Sequence, residues 1–248
     1  MNKEQLIAVF ENTTSIINST PGFQLSITSK HNTNSISVPR GETIANIQTI
    51  NSDTVSAALE YSRKGRTAIL NMASFKRPGG GVANGAKAQE ECLFRCSNLS
   101  KVISNEFYPL GVNEGLYTRD AVFFKDFNYN QIEPFMVDVI TVAAINLSKE
   151  DNPKEILDSY DVIMMDKMRL MFDMALQNGC KNIILGAWGC GVFSNNPVNI
   201  ASMFEEVMMK RKNRVDSTYH ECFENIIFAV INDHNSVGDN YDVFSKFF

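Results

Sequence analysis

The stretch "TAILNMASFKRPGGGVANGAKAQEE", residues 67–91, decides the fold. Its first part, "TAILNMAS" (67–74), is an apolar run of strand length that leads straight into Pro78 and three glycines. Such a run suits a strand buried on both faces, as in a parallel sheet. The stretch ends in Gln89-Glu90-Glu91, at or near the first turn of a predicted helix that continues to about Phe107. This order raises a chemical question. The chain requires side-chain-free backbone at Gly79, Gly80 and Gly81, and soon afterwards places two adjacent carboxylates.

On either side, strands and helices alternate. Residues 2–19 read as a helix, with Leu6, Ile7, Phe10, Ile16 and Ile17 near helical spacing. Residues 20–50 are rich in Ser, Thr and Asn, and "FQLSITSKH" and "NSISV" predict short strands or an ordered arm. "NSDTVSAALEYSRKG" predicts a helix capped by Ser52 or Asp53 and closed by Gly65. "GLYTRDAVFFKDF" reads as two short strands, and "FMVDVITVAAIN" (135–146) as a strong central strand. "NPKEILDSYDVIMMDKMRLMFDMALQNG" predicts one amphipathic helix stopped by Gly179, its methionines packed in the core. "KNIILGAWGCGVFSNNP" gives another buried strand ending in glycines, with Asn196-Pro197 opening the next helix, and "NIIFAVIN" (225–232) gives the last strand. The alternation predicts one α/β unit with a largely parallel sheet covered on both faces.

Composition narrows the function classes. The chain has 248 residues, 44% hydrophobic and 21% charged, which suits a globular domain with an ample core. A net charge of −5 argues against broad binding of DNA or RNA, yet leaves room for a small anion held by backbone N–H groups. No stretch has the length of a transmembrane helix, and the start "MNKEQLIAVFENTT" reads as neither signal peptide nor anchor. The five cysteines, Cys92, Cys96, Cys180, Cys190 and Cys222, have no framework spacing and read as reduced thiols in a cytosol. Cys92 and Cys96 lack a companion pair among the three histidines, so their spacing reads as helix-face packing rather than a metal site.

Two strand ends carry glycines: Gly79-Gly80-Gly81, and Gly186, Gly189 and Gly191 in "GAWGCGVF". In open α/β sheets ligands gather at such ends. Glycine admits positive φ and close approach, and successive N–H groups can form an anion nest. Two facing nests would suit a diphosphate. Neither loop fits the Gly-x-x-x-x-Gly-Lys-Ser/Thr pattern or a Gly-x-Gly-x-x-Gly fingerprint. Either loop alone would read as a tight turn; together, one of them leading to paired carboxylates, they read as a site. Adjacent helical residues point about 100° apart, so Glu90 and Glu91 are expected to do different work. One can fix a hydroxyl while the other acts on a scissile bond. The helix N-terminus favours their charged forms, while burial and mutual repulsion favour the proton.

"LNMASFKRPGGGVANGAKAQEE" resembles the signature of the microbial-type poly(ADP-ribose) glycohydrolases: a glycine triplet, a short loop, then Gln-Glu-Glu. "DTVSAA" (53–58), "GLYTRDAVFFKD" (115–126), "VDVITVAAIN" (137–146), "LGAWGCGVFSNNP" (185–197) and the end, "IIFAVIN" with "NYDVFSKFF", are similar to the same family. The likeness runs from about Asp53 to the C-terminus. It departs from the family at Ala143-Ala144-Ile145-Asn146, which lacks a proline, and at Cys92, where a small residue is usual. The resemblance implies a three-layer α/β/α macrodomain-like fold with a mixed, largely parallel central sheet. Residues 1–50 would form an N-terminal accessory helix and arm, and 51–248 the catalytic domain.

The resemblance also implies roles. Glu91 would protonate the departing ribose 2′ oxygen and then take a proton from the attacking water. Glu90 would hold ribose hydroxyls. Gly79, Gly80 and Gly81 would bind diphosphate and hug the terminal ribose. Gly189, Cys190, Gly191 and Val192 would form the second phosphate nest, and Phe193 would pack on the terminal ribose or else in the core. Asn71 and Asn84 are candidates for ribose contacts or for turn and capping roles, and Gln89 for tying loop to helix. The implied activity is hydrolysis of poly(ADP-ribose), mainly from the chain end, with ADP-ribose as product, no cofactor and no metal. The expected state is a monomer, cytoplasmic or nuclear, with ADP-ribosylated macromolecules as partners and no direct DNA, RNA or membrane binding. Two other readings stand beside it: a hydrolase of mono-ADP-ribosylated protein or nucleic acid, and a non-catalytic ADP-ribose reader.

Overall fold

The computed structural model describes residues 1–33, 41, 43–148, 152–210, 217–232 and 239–248. The "NSISV" strand expectation lies outside them, as does His234. In chain order come α1 (Lys3–Ser19), β1 (Ile27–Asn32), β2 (Asn46–Ile50), α2 (Thr54–Ser62), β3 (Thr67–Met72), α3 (Gln89–Cys96) and α4 (Leu99–Val102). Then follow β4 (Glu114–Lys125), β5 (Gln131–Val142), α5 (Lys154–Asp158), α6 (Tyr160–Gln177), β6 (Asn182–Leu185), α7 (Pro197–Met209), β7 (Asn225–Ala229) and α8 (Asn240–Phe244). The sheet has seven strands in the order β1-β4-β5-β3-β6-β7-β2. The pairs β5/β3, β3/β6, β6/β7 and β7/β2 are parallel, and β1/β4 and β4/β5 are antiparallel.

The period-two alternation of strand side chains splits the core in two. Ala68 and Leu70 of β3, Ile183 and Leu185 of β6, and Ile226 and Phe228 of β7 face a cluster containing Met164, Met168 and Phe172 of α6 and Phe204 of α7. Ile69, Ile184 and Ile227 face the opposite cluster, with Val55 and Ala58 of α2 and Leu93 and Phe94 of α3. Helices therefore cover both faces, and the methionines of α6 are core, as the sequence indicates.

Several local expectations hold. Asp53 caps α2 by accepting from the amides of Val55 and Ser56, and Asn196 caps α7 ahead of Pro197. Residues before position 51 supply both edge strands, β1 and β2.

Three expectations need correction. The helix predicted from Gln89 to about Phe107 stops at Cys96, because Ser97 turns extended and bridges to Phe123 of β4. The two short strands predicted over residues 115–127 are one strand, irregular where Asp120 takes a φ of +53°. The single helix predicted over residues 152–179 is broken at Ser159 into α5 and α6. Among the described residues, no helix is long and apolar enough to cross a membrane.

Candidate active site

The C-terminal end of β3 feeds a loop that folds back over the first turn of α3. Gly79 and Gly80 take φ of +70° and +52°, a region where a side chain is strained. A Cβ on Gly79 would lie 2.7 Å from the Phe94 ring, and one on Gly80 would lie 2.6 Å from Glu91 Oε1 and 3.0 Å from Glu90 Oε2. The question raised by the sequence thus has a steric answer. The triplet lies directly on the two carboxylates, too close for any side chain between them.

The carboxylates are buried, Glu90 at 3% and Glu91 at 6% exposure. Their surroundings differ. Both oxygens of Glu90 are held: Oε2 accepts from the Ser74 amide at 2.7 Å, and Oε1 accepts from the Gly79 amide at 3.1 Å and from Asn71 Nδ2 at 3.4 Å. Glu91 Oε1 accepts from the Gly81 amide at 2.8 Å, whereas Glu91 Oε2 has no hydrogen-bond partner among the described residues. Burial pushes the Glu90 carboxyl up to about 8, against the Ser74 donor, with repulsion from Glu91 adding to the rise. Asn71 Oδ1 and the Tyr108 hydroxyl, also buried, are likewise unpartnered among the described residues. Burial, and then the charge of Glu90, raise the Tyr108 phenol.

The rest of this region is scaffolding. Gln89 accepts from the Met72 amide at 3.0 Å and donates to the Leu70 carbonyl at 2.6 Å and to Thr54 Oγ1 at 3.2 Å, tying α3 to β3 and α2. Arg95 is fully buried and donates to the carbonyls of Leu6 in α1 and of Val82 and Ala86 in the loop after the triplet. Asn84 is exposed, and only its backbone amide joins the loop, donating to Gly81. The triplet was expected to present its amides to a diphosphate. Two of the three instead donate to carboxylates, and the Gly80 amide makes a long 3.4 Å contact to the Arg77 carbonyl.

The second glycine loop, after β6, is organised from below by Asn195. Its Nδ2 donates to the carbonyls of Gly189 at 2.9 Å, Ile145 at 3.0 Å and Phe193 at 3.3 Å. Fixing the carbonyls in this way leaves the amides of Gly189, Gly191, Val192 and Phe193 without partners among the described residues. Cys190 is buried beneath, its thiol pushed up to about 12 by burial. Val192 is exposed and Phe193 half-buried.

A cavity of about 210 Å³ opens at the C-terminal ends of the central strands. Gln89, Gly189, Gly191, Val192 and Phe193 line it, together with Met72 and Ala73 at the end of β3. Glu90, Glu91, Asn71, the triplet, Asn84 and Cys190 do not line it. Glu90 is held by Ser74, which directly follows the lining residue Ala73, and Glu91 directly precedes the lining residue Cys92. Sequence reasoning missed Asn195, Arg95 and Tyr108. Arg95 had a signal: a lone charge one turn beyond Glu91, set among the apolar residues of "CLFRC". Among the described residues no group of three or more His, Cys, Asp or Glu is placed to hold a metal ion.

The crystal structure of poly(ADP-ribose) glycohydrolase (PARG) from Thermomonospora curvata is 22% identical, covers 99% of this chain and 100% of its own, and superposes with a TM-score of 0.83. That enzyme bound to the inhibitor ADP-HPD gives a TM-score of 0.80. The PARG from Deinococcus radiodurans in complex with ADP-ribose is 25% identical over 90% of this chain and 94% of its own, with a TM-score of 0.75. No curated protein sequence matches this chain. The family described as "Microbial-type PARG, catalytic domain" matches residues 3–126, half of the chain and including the triplet and both glutamates. This chain therefore belongs to the microbial-type PARG catalytic-domain family.

Proposed function

We propose that this protein hydrolyses the ribose–ribose O-glycosidic bond of poly(ADP-ribose), mainly from the chain end, and releases ADP-ribose. The observation that carries the reading is the difference between the two carboxylates. Glu90 has both oxygens held, which suits a group that orients a substrate. Glu91 is anchored through one oxygen and has the other unpartnered among the described residues, which suits a group that moves a proton.

In this reading Glu91 gives a proton to the departing 2′ oxygen as the bond to the anomeric carbon breaks. The resulting carboxylate takes a proton from the water that attacks that carbon. One residue acts first as acid and then as base, unlike the two separated carboxyls of most glycosidases. Glu90, pushed up to about 8, keeps its proton at neutral pH and so adds no second negative charge beside Glu91. Asn71 acts through Glu90, which it holds.

The diphosphate belongs at the second loop, where the amides of Gly189, Gly191, Val192 and Phe193 are free of protein partners among the described residues. Phe193, lining the cavity, packs on the terminal ribose. The triplet lies over the carboxylates. This chemistry requires no metal or cofactor. Family membership and the ADP-ribose held by the D. radiodurans enzyme support the substrate class.

The test is product release from purified poly(ADP-ribose) and, in parallel, from mono-ADP-ribosylated protein. Free ADP-ribose from the polymer is expected. Release from the mono-modified protein alone would move the assignment to that substrate, and tight ADP-ribose binding without turnover would make the protein a reader.

A further inference from the structure

Arg95 lies one turn beyond Glu91 on α3 and is fully buried. Its guanidinium reaches two elements at once. Nη2 donates to the carbonyls of Ala86 at 2.7 Å and Val82 at 3.3 Å, in the loop after the triplet. Nε donates to the Leu6 carbonyl of α1 at 3.1 Å. From α1, Thr13 Oγ1 donates in return to the Arg95 carbonyl at 2.6 Å. The helix also meets the loop directly. Gly85 takes a φ of +72°, and a Cβ there would lie 2.7 Å from the Lys3 carbonyl oxygen.

These bonds close a ring around Glu91. The Gly81 amide donates to Glu91 Oε1 at 2.8 Å. The Gly81 carbonyl accepts from the Asn84 amide at 2.9 Å and from the Ala86 amide at 3.2 Å, so the loop returns on itself. Arg95 holds the returning limb through Ala86, and one turn of α3 leads from Arg95 back to Glu91. Such a ring fixes the direction of the Glu91 carboxyl as well as its distance from the loop. Burying a guanidinium is costly unless its donors are satisfied, so displacement of the loop or of α1 is opposed. Beyond the ring, α1 is fastened a second time. Lys125 of β4 donates to Thr13 Oγ1 at 2.7 Å and to Asn12 Oδ1 at 2.8 Å. The helix thus rests on the sheet through its C-terminal half and on the loop through its N-terminal half.

We infer that Arg95 and α1 position the acid: they keep the Gly81 amide on one oxygen of Glu91 and so aim the other oxygen at the scissile bond. Arg95 does not line the cavity and acts through the loop, which makes it a positioning residue. The N-terminal helix then belongs to the catalytic apparatus and is no appendage. This inference rests on the proposed function, since it takes Glu91 as the acid.

The experiment measures kcat on purified poly(ADP-ribose), ADP-ribose affinity and urea unfolding for the parent and three variants. Arg95→Met keeps an apolar stem and removes every donor. Gly85→Ala pushes the loop away from Lys3 and leaves α3 unaltered. Lys125→Met loosens α1 from the sheet and leaves the loop bonds in place. In Arg95→Met and Gly85→Ala, kcat is expected to fall by about 10- to 100-fold with ADP-ribose affinity kept within a few fold, as small misplacements of a reacting group do. Lys125→Met is expected to lose stability and to keep kcat within about threefold. Parental kcat in either folded variant of the loop brace overturns the inference while the proposed function stands. Equal losses of kcat and affinity, or a fall of kcat in Lys125→Met matching the other two, overturn it as well, because activity would then follow general stability. Should Arg95→Met fail to fold, Gly85→Ala decides alone. If the parent itself releases no ADP-ribose from the polymer, the proposed function falls and the inference falls with it.

Discussion

After β3, the amides of Gly79 and Gly81 turn inward and donate to Glu90 and Glu91. After β6, the carbonyls of Gly189 and Phe193 turn inward to Asn195, and the neighbouring amides have no partner among the described residues. Two glycine-containing loops, at the ends of adjacent strands, thus use opposite poles of the peptide group. The first positions acids, and the second presents donors to an anion. The comparison teaches that glycine content marks where a backbone comes close to something, while the partner beneath decides what that something is.

If the division is real, substitutions in the two loops should fail differently. Gly80→Ala should have the largest effect, because its Cβ would meet Glu91 Oε1 at 2.6 Å on a backbone with positive φ. Steady-state kinetics on poly(ADP-ribose) should show kcat down by about 100-fold or more, with ADP-ribose affinity changed much less. Equal losses in both would erase the contrast. Asn195→Ala, which removes three anchors of the second loop, should do the reverse. ADP-ribose binding should weaken about tenfold and stability should fall by roughly 1–3 kcal/mol in urea unfolding, while kcat at saturation holds within a few fold.

A separate signature should appear in the pH dependence of stability. The Glu90 carboxyl sits at about 8 in the folded chain, well above an ordinary glutamate near 4.3, so the folded state holds a proton that the unfolded state has lost. Its contribution is full below about 4.5 and declines as pH rises towards 8, by a few kcal/mol as an order of magnitude. Glu90→Gln removes this term and adds a constant cost, because an amide nitrogen then faces a backbone N–H. The stability difference between parent and Glu90→Gln should therefore move in favour of the variant between pH 5 and pH 9, and a difference flat across that range would contradict the elevated carboxyl. The smallest effect is expected at Asn84, exposed and, among the described residues, bound only through its backbone. Asn84→Ala should change kcat/KM by less than about threefold, as ordinary surface substitutions do.

Much of this was legible in the sequence. Apolar runs at 67–74, 135–146 and 225–232 marked strands, since burial on two faces leaves little room for polar residues. The caps at Asp53 and Asn196 were readable because a cap is local chemistry. The breaks at Ser97 and Ser159 and the irregularity at Asp120 were not, and Ser97 shows why. Its extended backbone is fixed by a bridge to Phe123, a partner distant in sequence that helical periodicity cannot reveal. At the candidate site, the residue types and their spacing were readable, but the direction of the amides was not. That direction follows from α3 lying under one loop and Asn195 under the other. Arg95 and Tyr108 escaped notice for the same reason, because each matters only through neighbours that the fold brings to it.

The most direct test of the account compares the parent with Glu91→Gln on purified poly(ADP-ribose), measuring both turnover and ADP-ribose affinity. The Glu91 oxygen that is unpartnered among the described residues predicts a fall in turnover of roughly 10²–10⁴-fold, with affinity kept within a few fold. Turnover equal to that of the parent would contradict the assignment of Glu91 as the group that moves the proton.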